Sequence, residues 1–228
     1  MNIKTACILT LFFITSMGAM AQDIPNGGFE NWNFYRGTNF ESPAGWTTND
    51  ILTYKINPKY KGMSTSKSSE AHTGNYAVKM QVVVDHGDTA NGCIYSTTSV
   101  DSIILLDEGK ANAGFRYFLH ATSLNGNYKF TSAAGSSDSA FFGITLTKWN
   151  KEKHRRDILV NTIFLIGQNS RDYLPFVIPF RYQVQQENPD TALVVIGIQG
   201  PHGKPAHEGT TLFIDDIGFA AKMPIKKD

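Results

Sequence analysis

The last hydrophobic stretch of the sequence, residues 211–219, constrains the fold more than any other segment. Its pattern predicts a β-strand, in which successive side chains point to opposite faces. Phe213, Asp215, Ile217 and Phe219 share the more apolar face, which we expect to meet the core. Asp215 would then be buried, and a buried carboxylate needs a partner. Because no basic residue lies within the strand, a bound metal ion is the leading candidate for that partner.

The rest of the chain also favours strands. Apolar residues recur with a period of two, and clusters of Gly, Asn, Asp and Pro separate the periodic segments. No long segment carries the apolar stripe of a helix. We therefore predict an all-β protein, an antiparallel β-sandwich of the jelly-roll type. The predicted strands before residue 211 are residues 76–84, 114–120, 140–149, 158–166, 176–184 and 193–199.

Three local signals refine this prediction. Residues 140–149 and 158–166 flank a short charged tip, which is typical of a β-hairpin. Pro179 lacks a backbone N–H, so its strand is expected at the edge of a sheet. Residues 47–69 are polar and rich in serine, and we expect loop there with at most short strands.

The first residues form a targeting signal. Lys4 precedes a short apolar run, residues 6–15, and Ala19 and Ala21 form an A-x-A cleavage site. We therefore expect a signal peptide over residues 1–21, a single β-sandwich domain over residues 22–228, and export to the periplasm, cell surface or extracellular space. The apolar run is too short to span a bilayer, and no other stretch is long enough, so we predict no membrane span.

Charge narrows the range of partners. Without Lys4, the 21 Lys and Arg residues of the chain become 20, equal to its 20 Asp and Glu residues. Nucleic acids and anionic membranes bind proteins that have an excess of basic residues, so neither is an expected partner. Cys93 is the only cysteine outside the signal segment, so the fold must be stabilised by its core, with or without a metal.

Four motifs carry a resemblance to a known family. The four motifs are Asn-Gly-Gly-Phe-Glu at 26–30, Pro-Ala-Gly-Trp at 43–46, Thr-Gly-Asn-Tyr-Ala-Val at 73–78 and Leu-Phe-Ile-Asp-Asp-Ile at 212–217. In this order they resemble the galactose-binding-like jelly rolls, which include many carbohydrate-binding modules. The C-terminal half, through residues 176–182, 188–190 and 209–219, looks closer to the putative carbohydrate metabolism domain (PCMD-like) of secreted bacterial proteins. The resemblance covers nearly the whole chain after the signal segment.

This resemblance implies a structural Ca²⁺ that joins the first and last strands. Glu30 and Asp215 would supply carboxylate oxygens, and backbone carbonyls near Gly28 and from His72 to Asn75 would supply others. Ca²⁺ takes six to eight oxygens, often a mixture of carboxylates and carbonyls. If the opposite face of the last strand meets the core, Asp216 would bind the ion in place of Asp215. The alternative without a metal is that Asp215 caps a loop or accepts backbone N–H hydrogen bonds.

The resemblance also implies reversible carbohydrate binding, in which aromatic rings stack on the apolar faces of sugars. Trp149 is the first choice for a stacking residue because it ends a strand beside the charged tip. Tyr117, Tyr128 and Tyr182 are further candidates. The competing interpretation of Trp149 is a tryptophan that covers the end of the hairpin.

No catalytic residue is assigned. The sequence contains no G-x-S-x-G motif. A glycosidase needs two carboxyl groups that face each other across a cleft, whereas Asp215 and Asp216 point to opposite faces of one strand. The expected partner is thus a glycan or polysaccharide. The main alternative is a structural or adhesive cell-envelope protein that binds another protein, and a glycan-active hydrolase is less favoured.

Overall fold

The computed structural model describes residues 24–104, 113–184 and 187–221. The predicted signal peptide lies outside these residues. Fourteen strands, two short α-helices and one turn of 3-10 helix (Pro201–Gly203) are present in the described part of the chain. The strands are β1 (Trp32–Phe34), β2 (Glu41–Pro43), β3 (Thr47–Thr48), β4 (Thr65–Ser68), β5 (Ala77–Asp85), β6 (Asp88–Asn91), β7 (Cys93–Tyr95), β8 (Phe115–Arg116), β9 (Ala121–Thr131), β10 (Ser139–Asn150), β11 (Arg155–Ile166), β12 (Leu174–Pro179), β13 (Thr191–Gln199) and β14 (Thr211–Ala221). The α-helices are α1 (Asn49–Ile56) and α2 (Val100–Ile104).

The strands form two antiparallel sheets. Sheet 1 has the order β11-β10-β13-β7-β3, with β8 also paired to β13. Sheet 2 has the order β12-β9-β14-β5-β4, with β6 also paired to β5. A small separate ladder joins β1 to β2. The predicted all-β antiparallel sandwich is confirmed.

The core lies between the two sheets. Alternate residues of β10, namely Phe142, Ile144 and Leu146, are fully buried, as are Leu124 and Phe130 of β9. This alternation is what one covered face of a strand requires, and each such side chain contributes roughly 1.5–3 kcal/mol through burial. A second, smaller apolar cluster packs around α1 and is made of Phe40, Ile51, Leu52, Tyr60 and Val100.

The predicted hairpin is present. β10 and β11 pair along their full length and meet at an exposed turn, and their register shifts at Leu146 and Thr147. β11 is the edge strand of sheet 1, and Ile163 is 67% exposed there. β12, which contains Pro179, is the edge strand of sheet 2, as the proline predicts.

The predicted facing of the last strand is wrong for its first half. Leu212 and Ile214 enter the core, whereas Phe213 lies on the opposite face with Asp215. The register then shifts after Asp215, and Asp216 adopts a left-handed backbone with φ of 51°. Such a bulge inserts an extra residue and changes which side chains face inward. Beyond it, Ile217 faces the core.

Two further segments differ from the prediction. The stretch expected to be mostly loop contains α1, which begins after Thr48, whose hydroxyl accepts a hydrogen bond from the N–H of Ile51. Residues 114–120 form only the two-residue strand β8, and the long strand of this region is β9, which the prediction missed. Within the described residues, no helix is long and apolar enough to cross a membrane.

Candidate functional site

The residues predicted to hold a metal do come together. Glu30 precedes β1, Asp215 and Asp216 belong to β14, and the turn of residues 72–76 leads into β5. The N–H of Ile217 also donates to the carbonyl of Gly27 at 2.9 Å, which ties β14 to the first described residues. Gly28 also lies close to Asp216, because a Cβ atom added to this glycine would be 3.8 Å from Oδ1 of Asp216.

Backbone N–H groups of this turn donate to Glu30. Oε1 of Glu30 accepts from the N–H of Asn75 at 2.9 Å and from that of Tyr76 at 3.1 Å. The hydrogen bonds from Tyr76 and Asn75 hold the pKa of Glu30 below its ordinary value. Gly74, at φ of 66°, leaves room for this carboxylate, because a Cβ there would clash with Oε1 of Glu30.

The same turn covers the two carboxylates of β14. Oδ2 of Asp215 accepts from the N–H groups of His72 and Thr73 at 2.8 and 3.1 Å, and Asp215 is fully buried. Burial raises the pKa of Asp215 despite these hydrogen bonds. Asp216 lies 2.7 Å from Nδ1 of His72 and accepts from the hydroxyl of Thr73 at 2.6 Å.

This geometry bears directly on the predicted calcium. The oxygens of Glu30, Asp215 and Asp216 accept hydrogen bonds from N–H and O–H groups, whereas Ca²⁺ needs oxygens that converge on one point. In the described ranges, no group of three His, Cys, Asp or Glu side chains is arranged to hold a metal ion. The arrangement thus fits the alternative in which Asp215 accepts backbone hydrogen bonds, and calcium stays a prediction.

A different surface holds Trp149. Trp149 lies at the end of β10, is 43% exposed, and is the cross-strand neighbour of Arg156 on β11. Its side chain shares the outer face of sheet 1 with Thr147, two residues earlier, whose hydroxyl lies 3.3 Å from Nη1 of Arg156. The aromatic ring and the guanidinium group therefore border one patch of the surface.

Beside this patch lies a recess of about 380 Å³. β8 supplies one wall, because Arg116 pairs with Thr191 across the sheet. Phe118, the second residue after β8, is 50% exposed, while its neighbour Tyr117 points into the core. The recess is lined by Gly114, Phe115, Arg116, Phe118, Arg156, Asp190 and Thr191.

Asp190 fixes the polar side of the recess. Its carboxylate accepts hydrogen bonds from the backbone N–H of Trp149 at 2.8 Å, from Nη1 of Arg156 at 2.5 Å and from the hydroxyl of Thr191 at 2.9 Å. Burial alone raises the pKa of Asp190, but the hydrogen bonds from Trp149, Arg156 and Thr191 outweigh it, and the pKa lies below its ordinary value. The carboxylate is therefore ionised at neutral pH and holds Arg156 and the end of β10 in place.

The other predicted stacking residues do not reach this surface. Tyr117 is completely buried and Tyr128 nearly so, and both belong to the core between the sheets. Neither ring can stack on a ligand, so these two predictions need correction. Tyr182 is partly buried, and His120 stacks on its ring with 3.9 Å between centroids, so one of its faces is covered.

None of the residues that line this recess was predicted from the sequence as a binding residue, and Phe118 is the exposed aromatic residue among them. The alternation within the aromatic segment from Phe115 to Phe118 could have found it, because a buried Tyr117 requires an outward Phe118. The recess also depends on the pairing of β8 with β13, which brings Arg116 beside Thr191. Nothing in the local sequence predicts that pairing.

Comparisons with known proteins establish the fold. No protein-family model and no curated protein matches this sequence. A putative glycoside hydrolase from Bacteroides thetaiotaomicron is similar in structure, with a TM-score of 0.61 and 12% identity over 84% of this chain and 66% of that one. A putative glycoside hydrolase from Bacteroides vulgatus has a TM-score of 0.56 and 14% identity over 84% of this chain and 90% of that one.

Carbohydrate-binding modules are also among the similar structures. One is the family 22 carbohydrate-binding module of Clostridium thermocellum Xyn10B, with a TM-score of 0.37 and 12% identity over 87% of this chain and 98% of that one. This chain thus spans just under two thirds of the first similar protein and nearly all of this module. At such low identities the comparisons show a shared β-sandwich and leave function to the residues of the site.

Proposed function

We propose that this protein is an exported, non-catalytic carbohydrate-binding β-sandwich that holds a glycan at the recess beside Trp149. The observation that carries the proposal is that an exposed aromatic residue in the lining of the recess, Phe118, and a second one next to Arg156, Trp149, accompany the fixed polar groups of Arg156 and Asp190. Export follows from the signal segment predicted in the sequence.

The chemistry of a sugar matches this combination. A pyranose has apolar faces of C–H groups, which an exposed aromatic ring can cover, and a rim of hydroxyl groups that donate and accept hydrogen bonds. Arg116 and Arg156 supply donors, whereas Asp190 and Thr191 supply acceptors. Because the hydrogen bonds of Asp190 fix several of these groups before a ligand arrives, little ordering is needed on binding.

The recess is open to the outer face of sheet 1, so it can admit the middle of a chain as well as its end. An extended polysaccharide that crosses the sheet end would contact Trp149 on one side and Phe118 on the other. We therefore expect longer oligosaccharides to bind more tightly than single sugars at this surface.

A panel of soluble polysaccharides in affinity electrophoresis, followed by calorimetry on those that bind, tests the proposal. Trp149→Ala and Phe118→Ala should each weaken binding about tenfold or more, since losing a stacked ring costs at least about 1.4 kcal/mol. Phe34→Ala is the matched control, because Phe34 is 69% exposed on β1, away from sheet 1. Wild-type affinity in both recess variants would reject this site.

One observation favours the alternative, a protein partner. Ile163 on β11 and Val177 on β12 are 67% and 64% exposed, and a groove of about 390 Å³ between these two edge strands is lined in part by Phe164, Leu165 and Val177. Exposed apolar patches of this kind mark surfaces that other molecules cover. Ile163→Lys should leave polysaccharide binding unchanged if the recess is the glycan site.

A further inference from the structure

A second cavity, of about 350 Å³, lies between α1 and the turn that joins β5 to β6. It is formed by an earlier part of the chain than the recess. On the helix side it is lined by Asn49, Thr53 and the C-cap residue Asn57. These three residues are spaced by four, so they lie on one face of the helix. A row of amide and hydroxyl groups along the helix therefore faces the cavity.

The wall next to the helix is rigid. Asp50, only 1% exposed, accepts hydrogen bonds from the hydroxyl of Tyr60 at 2.7 Å and from the N–H groups of Ser64 and Thr65 at 3.0 and 2.8 Å. The ring of Phe40 stacks on that of Tyr60 with 5.9 Å between centroids. Tyr60, which lines the cavity, is thus fixed from two sides.

The opposite wall is a tight hairpin turn. His86 and Gly87 both have positive φ, 52° and 91°, which is the conformation of a two-residue hairpin connection. Oδ2 of Asp85 accepts from the N–H of Lys61 at 3.1 Å, and Oδ1 lies 2.8 Å from Nδ1 of His86. These contacts tie the turn to the segment that follows α1, so both walls are held at a set spacing.

The lining offers donors and acceptors in near balance. Asn49 donates through Nδ2 to the carbonyl of Asn91 at 3.1 Å and presents Oδ1 as an acceptor, whereas Asn57 accepts through Oδ1 from the N–H of Lys59 at 3.1 Å and presents Nδ2 as a donor. The side chain of Lys59 donates and that of Asp88 accepts. Tyr60 and Ala90 add an apolar surface. A ligand that satisfies this lining needs several hydroxyl groups and an apolar face, which describes a saccharide.

Charge and size narrow the class further. Asp85 and Asp88 face the cavity against Lys59, so an anionic sugar would meet two carboxylates with one ammonium group. The volume is near the lower end of the range for small-molecule pockets, about 300–1,000 Å³. Neutral monosaccharides and disaccharides therefore fit better than long or acidic chains.

We propose that this cavity is a second saccharide site, which takes a neutral sugar or the end of a neutral chain. It shares no lining residue with the recess beside Trp149. A sugar can therefore bind this cavity whether or not the recess beside Trp149 binds a glycan.

Saturation-transfer NMR with a panel of neutral mono- and disaccharides tests the proposal, with glucuronate and glucosamine as charged probes. Thr53→Val and Asp88→Asn should each weaken the binding of the best neutral sugar about tenfold, because the first removes a hydroxyl group and the second replaces one oxygen of a charged acceptor with an amide donor. Thr145→Val, at a partly buried threonine of β10 that is outside the lining of this cavity, is the matched control for Thr53→Val. Thr89→Val replaces Thr53→Val if the helix variant melts at a clearly lower temperature than the wild type.

The outcomes separate the two sites. Sugar binding that is lost in Trp149→Ala but unchanged in Thr53→Val and Asp88→Asn would overturn the second site and leave the recess standing. Glucuronate that binds as tightly as the neutral sugars would overturn the predicted ligand class. If no member of the panel is bound, the second site is rejected, whatever the polysaccharide experiment shows.

Discussion

The N–H of His72 donates a 2.8 Å hydrogen bond to the carboxylate of Asp215, a residue 143 positions further along the chain. Through this contact the turn before β5 covers a buried acidic group on β14. Two strands that are neighbours in sheet 2 are thus joined by a side chain as well as by their ladder.

Asp215→Ala should lower the free energy of unfolding by about 2–4 kcal/mol, because the N–H groups of His72 and Thr73 would lose their acceptor while they stay covered. Urea unfolding followed by tryptophan fluorescence measures this loss. Asp172→Ala, at an exposed position, should change stability by less than about 0.5 kcal/mol. Equal midpoints for both variants would show that the turn is held by other contacts.

The stability contributed by Glu30 should depend on pH. Its pKa is lowered in the folded protein by the hydrogen bonds from Tyr76 and Asn75, so the unfolded chain binds the proton more tightly. The contribution is therefore present above the ordinary pKa of about 4.5 and is lost as pH falls through the lowered value. Urea midpoints measured from about pH 7 to pH 3 should fall more steeply for the wild type than for Glu30→Gln. Parallel curves would contradict this.

Gly74→Ala tests the fit between the turn and Glu30. Gly74 has a φ of 66°, where a side chain costs about 1–2 kcal/mol, and the new Cβ would also displace the carboxylate of Glu30. Gly135 has a similar φ of 75° but open space around it, so Gly135→Ala carries only the backbone cost. Gly74→Ala should therefore be the more destabilising variant in thermal unfolding, and equal losses would mean that Glu30 moves aside freely.

Calcium is tested by removing and restoring it. If Ca²⁺ binds the native state at Glu30 and the carboxylates of β14, a chelator should lower the melting temperature and excess Ca²⁺ should restore it. A concentration of 100 times Kd would contribute about 2.7 kcal/mol. Glu30→Gln should reduce this response. A melting temperature unaffected by chelator would mean that hydrogen bonds alone hold the three carboxylates.

Much of the fold could be read from the sequence because β-strands with one covered face alternate in polarity. Strand β10 is the clearest example, since its buried residues Phe142, Ile144 and Leu146 recur at every second position. The last strand shows the limit of this reasoning. Asp216 sits in a bulge that reverses the facing of the residues after it, and strict alternation cannot anticipate an inserted residue.

The functional surfaces were only partly predictable for a related reason. Trp149 is exposed at a strand end, where the sequence places it, but Phe118 and Asp190 join it only through the pairing of distant strands. The second cavity did have a local signal, the Asn49, Thr53 and Asn57 spacing of four. That signal was missed because a helix of eight residues is too short to show a clear apolar stripe.

The hydrogen bond from Ile217 to Gly27 has a consequence for protein engineering. It brings Gly27, near the start of the described chain, beside Ile217, near its end, whereas the turn between β10 and β11 is exposed and lies on the other sheet. A circular permutant that opens at Glu152 and links Ala221 to Ile24 through a few glycine and serine residues would keep every strand ladder. Both sheets would then form from a chain that begins with β11 and ends with β10.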